Sequence, residues 1–302
     1  GGHRLKMSKV AAILLTHGHL DHTWGVLPWL QTLALDGRTD KLWVIGPTTP
    51  EVMDTLLGSE GEPEVSPSDL VIQYDMWMDL GATSETLGYE IVWVLGDGKR
   101  WVNMTDGAQI ELPQPLANTT ISSYTTQHTV PSCAWKIATA ERKGKFDRAA
   151  SQELPLEIKK SLAAGQDSEY EGQLLKAADF RSENKPGISV IISGDTAEQA
   201  IDGECDLLIH EATFLQEHSD IANEHLHSTA AGAARTANEC KAQHLALTHY
   251  SARLENHKGS LSEASEIHPS VVGLSDGDRL ILQNDYSLKH LVKSPVGWSQ
   301  QE

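Results

Sequence analysis

The stretch THGHLDH at residues 16–22 places three histidines and an aspartate in seven positions, directly after the apolar run AAILL at 11–15. Side chains alternate along an extended chain, so His17 and His19 at the end of a strand point to one side and can share one metal ion. A turn then sends Asp21 and His22 toward a second. Neutral imidazoles and carboxylates favour zinc, with manganese or iron compatible with the same set. The expectation is two ions held on the turn that ends one buried strand.

If one sheet edge forms the floor of such a centre, the remaining ligands should also stand at strand ends. ISVIISGDT (188–196) closes its apolar run at Asp195, whose two carboxylate oxygens can bridge two ions, and HLALTHYS (244–251) closes at His249. His128, in TTQHTVPSCAW (125–135), follows a stretch with several β-branched residues and can complete the first ion's shell. Two further candidates are not obvious metal ligands: Glu211 ends the strand-like CDLLIH (205–210), and His227 opens the Ala-rich HLHSTA (225–230). A carboxylate beside an imidazole can hold it in one tautomer, ready to donate a proton to a leaving group. His210, next to Glu211, should point to the opposite face.

Apolar runs rich in Val, Ile and Leu recur at 11–15, 42–45, 91–95, 188–192, 206–209, 243–247 and 279–282, each bounded by turn-forming residues, and read as buried strands. Helices are expected over 228–240, capped by Ser228, and more weakly over 23–34 and 50–57. Alternating strands and helices point to an α/β layered domain. One domain over 1–302 is expected, with a charged excursion at about 141–186 that lacks strand signals. Trp24 and Trp29, five apart among Val and Leu neighbours, read as core, although a tryptophan beside the metal turn can also stack on a base.

Composition is that of a globular protein, with 39% hydrophobic and 22% charged residues in a chain of 302. No apolar run approaches the roughly 18–20 residues of a membrane span. Cys133, Cys205 and Cys240 are widely separated and lack CxxC spacing, so they read as small buried hydrophobes of a reducing, cytoplasmic interior. The net charge of −18 repels polyanions unless basic groups are concentrated locally or cations are bound.

Taken in order, THGHLDH, SGDT (193–196), HEATF (210–214), HSTA (227–230) and LTHYSAR (247–253) resemble the motif series of the ribonuclease Z family, transfer RNA 3′ endonucleases of the metallo-β-lactamase fold. LKMSKVAAI (5–13), GP (46–47), KGKFD (143–147) and DGD (276–278) are similar to that family too, so the likeness spans most of the chain. The resemblance implies an αββα sandwich, with His17, His19 and His128 on one zinc, Asp21, His22 and His249 on the other, and Asp195 between them. It further implies that Asp21 orients or deprotonates the attacking water, that Glu211 and His227 assist the leaving oxygen, and that the partner is a precursor transfer RNA, with a homodimer compatible and no membrane.

Three departures from the family are visible. Its strands with a GTG-like turn and a D-x-GEG-like segment ahead of the first motif have no counterpart here, which implies an open sheet edge. The excursion at 141–186 lacks a Gly-Pro pair, yet clusters Arg142, Lys143, Lys145, Arg148, Lys159 and Lys160. The acidic charge suits a second reading as well: a hydrolase of the same fold acting on small substrates, such as a cyclic nucleotide phosphodiesterase, an arylsulfatase-like enzyme or a lactamase.

Overall fold

The structure, a computed structural model, describes residues 6–300. It comprises two compact units: the residues up to Ala138 together with those from Ile188 onward, and residues 139–187.

In the larger unit, β1 (Ala12–Leu14), β2 (Leu42–Pro47), β3 (Ile91–Gly96), β4 (Trp101–Asn103) and β5 (Gln109–Ile110) form one sheet in that spatial order, with β1 at its edge. β1, β2 and β3 run parallel, and β4 and β5 antiparallel. Between these strands lie α1 (Leu20–Thr23), α2 (Val26–Leu35), α3 (Pro50–Leu56), α4 (Leu70–Asp79) and α5 (Ser84–Leu87).

The second sheet begins with β6 (Thr119–Thr125) and β7 (Cys133–Thr139). In the smaller unit, α6 (Leu156–Ala164) precedes a hairpin of β8 (Ser168–Tyr170) and β9 (Gln173–Leu175), and the charged excursion at 141–186 falls here. Two of its lysines are engaged locally: Lys160 pairs with Glu157 at 3.2 Å, and Lys159 donates to the Gln152 carbonyl.

The second sheet continues with β10 (Ser189–Ile192), β11 (Leu207–Glu211), β12 (His244–Thr248) and β13 (Val271–Gly273). Its spatial order is β13-β12-β11-β10-β7-β6. β10, β11, β12 and β13 are mutually parallel, and β7 runs antiparallel to β10. Helices α7 (Ser219–His225), α8 (Ala230–Glu239) and α9 (Lys258–Ser265) connect them, and β14 (Arg279–Leu282), β15 (Leu288–Ser294) and β16 (Gly297–Gln300) close the chain as an antiparallel sheet.

Three apolar clusters show how the layers stack. In β2 and β3, Leu42, Val44, Ile91, Trp93 and Leu95 pack with Leu30 and Leu33 of α2 and Leu70 and Trp77 of α4. The alternate residues Ile45, Val92 and Val94 meet Cys133 and Trp135 of the other sheet. The far face of that second sheet, through Ile191, Leu208 and Leu245, packs on the alanines of α8 and on Ala264 of α9. The order helix, sheet, sheet, helix is an αββα sandwich. Strands covered on both faces read as unbroken apolar runs, which is why β2 and β3 stand out in the sequence. Cys133, Cys205 and Cys240 are free thiols in these interiors.

Local corrections have local causes. The helix expected over 23–34 is divided: α1 ends at Thr23, α2 starts at Val26, and Pro28 sits in the first turn of α2, where it forfeits no helical hydrogen bond. Trp24, read as core, is 76% exposed because it caps α1 outside the apolar stripe of α2, whereas Trp29 is half-buried against that core. The Ala-rich helix is capped by Thr229, whose Oγ1 accepts from the Gly232 N–H at 2.9 Å, not by Ser228, whose hydroxyl donates to the Thr229 carbonyl. Among the described residues, no helix is long and apolar enough to cross a membrane.

Candidate metal centre

The residues singled out in the sequence converge at the ends of strands. His17 and His19 follow β1, and Asp21 and His22 lie in α1. His128 lies in the turn between β6 and β7, Asp195 follows β10, Glu211 ends β11, His227 precedes α8, and His249 follows β12. Two glycines allow the close approach. A Cβ on Gly18 would stand 1.9 Å from the Ser68 carbonyl oxygen. Gly194, at φ +61°, brings the Asp195 turn so near Thr16 that a Cβ would fall 2.5 Å from that residue's own Cβ. His249 itself adopts a left-handed φ of 55°, a conformation uncommon in non-glycine residues and concentrated at functional sites.

The ligand atoms of His17, His19 and His128 lie within 4.8 Å of one another, as do those of Asp21, His22 and His249. Asp195 stands between the two groups, its Oδ2 at 3.3 Å from His22 Nε2, 3.3 Å from His249 Nε2 and 3.9 Å from His17 Nε2. His17 Nε2 is buried without a hydrogen-bond partner, although an unpaired polar nitrogen in the interior is costly. A cation at this point would satisfy that orphaned nitrogen and the carboxylate facing it. The donor set therefore fits a metal.

In two of the rings the Nδ1 atom is engaged by a hydrogen-bonding partner. His128 Nδ1 donates to the Leu226 carbonyl at 3.1 Å, and His17 Nδ1 lies 3.1 Å from the Thr16 hydroxyl. Burial lowers the basicity of His17, to a pKa of about 3, and the neighbouring His22 charge pushes the same way. Burial likewise lowers His19 and His128, so these three rings are neutral at pH 7, the form that ligates. Burial alone would raise Asp195, but the hydrogen bond from His22 and the charges of His249 and His22 hold it well below the usual carboxylate range. The same hydrogen bond raises His22.

Beside these donor groups lies a second constellation. Glu211 is buried and accepts from His227 Nδ1 at 2.7 Å, from the Thr196 N–H at 3.1 Å, and from both the N–H (3.1 Å) and hydroxyl (2.6 Å) of Thr213. Burial works against protonation of His227, yet the hydrogen bond and charge of Glu211 outweigh it and raise the imidazole above its ordinary value. A cavity of about 390 Å³ opens beside His227, lined also by His19, His128, Thr213 and Arg253 among others. His210 is fully buried, with Nδ1 donating to the Glu211 carbonyl at 2.8 Å, and takes no part in either donor group. Thr213 was not distinguished in the sequence, since a threonine in HEATF carries no pattern of its own.

The metallo-beta-lactamase superfamily model matches residues 3–98. The metallo-beta-lactamase fold protein YhfI from Bacillus subtilis is similar in structure, with a TM-score of 0.52 at 18% identity, covering 90% of this chain and 77% of that one. A ribonuclease Z of Methanosarcina mazei is 28% identical over 278 residues, 89% of this chain and 80% of that protein. A ribonuclease Z of Ignicoccus hospitalis is 30% identical over 284 residues, 92% of this chain and 83% of the relative. With strand-end donors in the order that the motifs gave and relatives matched over most of their length, the chain belongs to the ribonuclease Z family of the metallo-beta-lactamase superfamily.

Proposed function

We propose that this enzyme removes the 3′ trailer of precursor transfer RNA by hydrolysing one phosphodiester bond at a centre of two zinc ions. His17, His19 and His128 would hold one ion, Asp21, His22 and His249 the other, with Asp195 between them. The observation that carries this reading is the pairing of two three-residue donor groups around Asp195 with a hydrogen-bonded Glu211–His227 pair at their side. Ribonuclease Z relatives support RNA over the small substrates that the acidic charge also suits.

When bound, a pair of divalent ions lowers the pKa of water and clamps a phosphodiester. The protein's own groups supply the rest. Asp21, whose side chain is 74% exposed, faces the solvent from which the attacking water comes and can orient it or take its proton. Glu211 presents His227 with Nδ1 occupied, leaving Nε2 to protonate the departing 3′ oxygen. Arg253, in the cavity wall, offers a charge-assisted contact to phosphate. Trp24, exposed and three residues after Asp21 on the same helical turn, offers a flat face on which a base can stack. A cytoplasmic setting and a homodimer are part of the same reading.

The test is His22→Ala. Turnover of a 3′-extended precursor should vanish while the circular dichroism spectrum and melting temperature stay near the parent's, and chelation of the parent should abolish turnover reversibly. Full activity of the metal-free protein would refute the reading.

A further inference from the structure

Thr213 lies at the junction of the two halves of the site. The residue is buried, at 8% exposure, and its Oγ1 stands 2.6 Å from Glu211 Oε2, 2.9 Å from His249 Nδ1 and 3.4 Å from His227 Nδ1. A hydroxyl has one proton to give and lone pairs to receive. A carboxylate that already takes three other donors can only accept, so the Thr213 proton goes to Glu211. The Thr213 oxygen must then accept from His249, which places a proton on His249 Nδ1. In the neutral ring, the form that ligates, Nε2 is then bare on the side where Asp195 Oδ2 stands at 3.3 Å.

We propose that Thr213 is a positioning residue that joins the metal ligand His249 to the Glu211–His227 pair in one hydrogen-bonded chain. One buried carboxylate thus sets the tautomer of two imidazoles: His227 directly through Oε1, and His249 through the Thr213 hydroxyl on Oε2. The inference rests on the reading of His249 as a ligand and adds a specific link: the group that assists the leaving oxygen and the second ion's shell are not independent.

Thr213→Val keeps the shape of the side chain and removes the hydroxyl. Outer partners of metal-bound histidines are typically worth 10–100-fold in metal affinity, so zinc titration against a competing chelator should show one of two sites weakened by about that factor in Thr213→Val. Thr213→Ser, which keeps the hydroxyl, should bind zinc as the parent does. Glu211→Gln should weaken the same site, whereas His227→Ala should leave it unchanged. Parental zinc affinity at both sites in a folded Thr213→Val protein would overturn the relay, and so would a loss in Thr213→Ser equal to that in Thr213→Val. A parent protein that binds no zinc would refute the metal centre itself, before the relay is in question.

Discussion

Gly18→Ala is a single methyl group placed where the metal turn has no room. The added Cβ would stand 1.9 Å from the Ser68 carbonyl oxygen, 3.0 Å from its carbon and 3.1 Å from Gln73 Nε2. Nonbonded contacts of that kind settle near 3.4–4 Å, so one side of the contact must retreat by more than about 1 Å. The Ser68 side is anchored. Asp69 caps α4 through the Val71 N–H at 2.9 Å and binds the Thr48 hydroxyl at 3.1 Å, and the Gln73 side-chain amide donates back to the Gly18 carbonyl. The displacement therefore falls on Gly18 and on its neighbours His17 and His19. A misplacement of about 1 Å in a catalytic constellation costs on the order of 100-fold. Gly18→Ala should therefore lower kcat/KM by about that factor and reduce bound zinc, with a loss of stability of about 1–3 kcal/mol from the overpacked contact. Elemental analysis, precursor cleavage and thermal melting measure these three quantities. Parental zinc content and turnover in Gly18→Ala would refute the argument that the close approach of residue 68 shapes the turn.

Other consequences are open to direct measurement. His227→Ala should lower kcat by about 100-fold or more, in the range of a lost general acid, while the protein still binds two zinc ions; a lost ion would mean that His227 is a ligand. Trp24→Ala should leave the melting temperature unchanged, since the ring is exposed, and raise KM for the precursor, a stacked base being worth about 1–3 kcal/mol. An unchanged KM would remove Trp24 from the substrate path. Asp278, immediately before β14, accepts from His290 Nε2 at 2.9 Å and from the Lys293 and Ser275 N–H groups at 3.0 Å each. Burial would raise its carboxyl, but these bonds outweigh it and lower the pKa below the ordinary range. A folded pKa below the unfolded one gives stability that is present above the unfolded value of about 4 and is lost as pH falls through the folded value. Asp278→Asn should destabilise the protein by about 1–3 kcal/mol at neutral pH and flatten this acid limb, as read from urea unfolding at several pH values.

The clustering of donors on this turn was legible because its information is local. HxHxDH after an apolar run needs only the alternation of an extended chain, and the strand ends at Asp195, Glu211 and His249 are marked by where apolar runs stop. β2 and β3 were legible for a related reason, since both faces are buried and the run is unbroken. What was not legible depends on contacts between distant segments. α4, with the sequence LVIQYDMWMD, shows no clean stripe, and its role in holding Gly18 through Gln73 appears only when residues 18 and 73 meet. Ser228 and Thr229 are adjacent hydroxyls, and the backbone alone decides which one caps α8. Trp24 is exposed because the helix breaks at Gly25, a break that apolar neighbours do not reveal. The connection through Thr213 exists only because β11, β12 and the turn before α8 arrive at one point.

The central claim is tested most directly by incubating the zinc-loaded protein with a 3′-extended transfer RNA precursor and mapping the cut on a sequencing gel, with a small phosphodiester in parallel. The expected result is a single cut just after the discriminator base, abolished by chelation and restored by zinc. Turnover of the small diester with the precursor left intact would contradict it, and would move the substrate of this metal centre from RNA to small molecules.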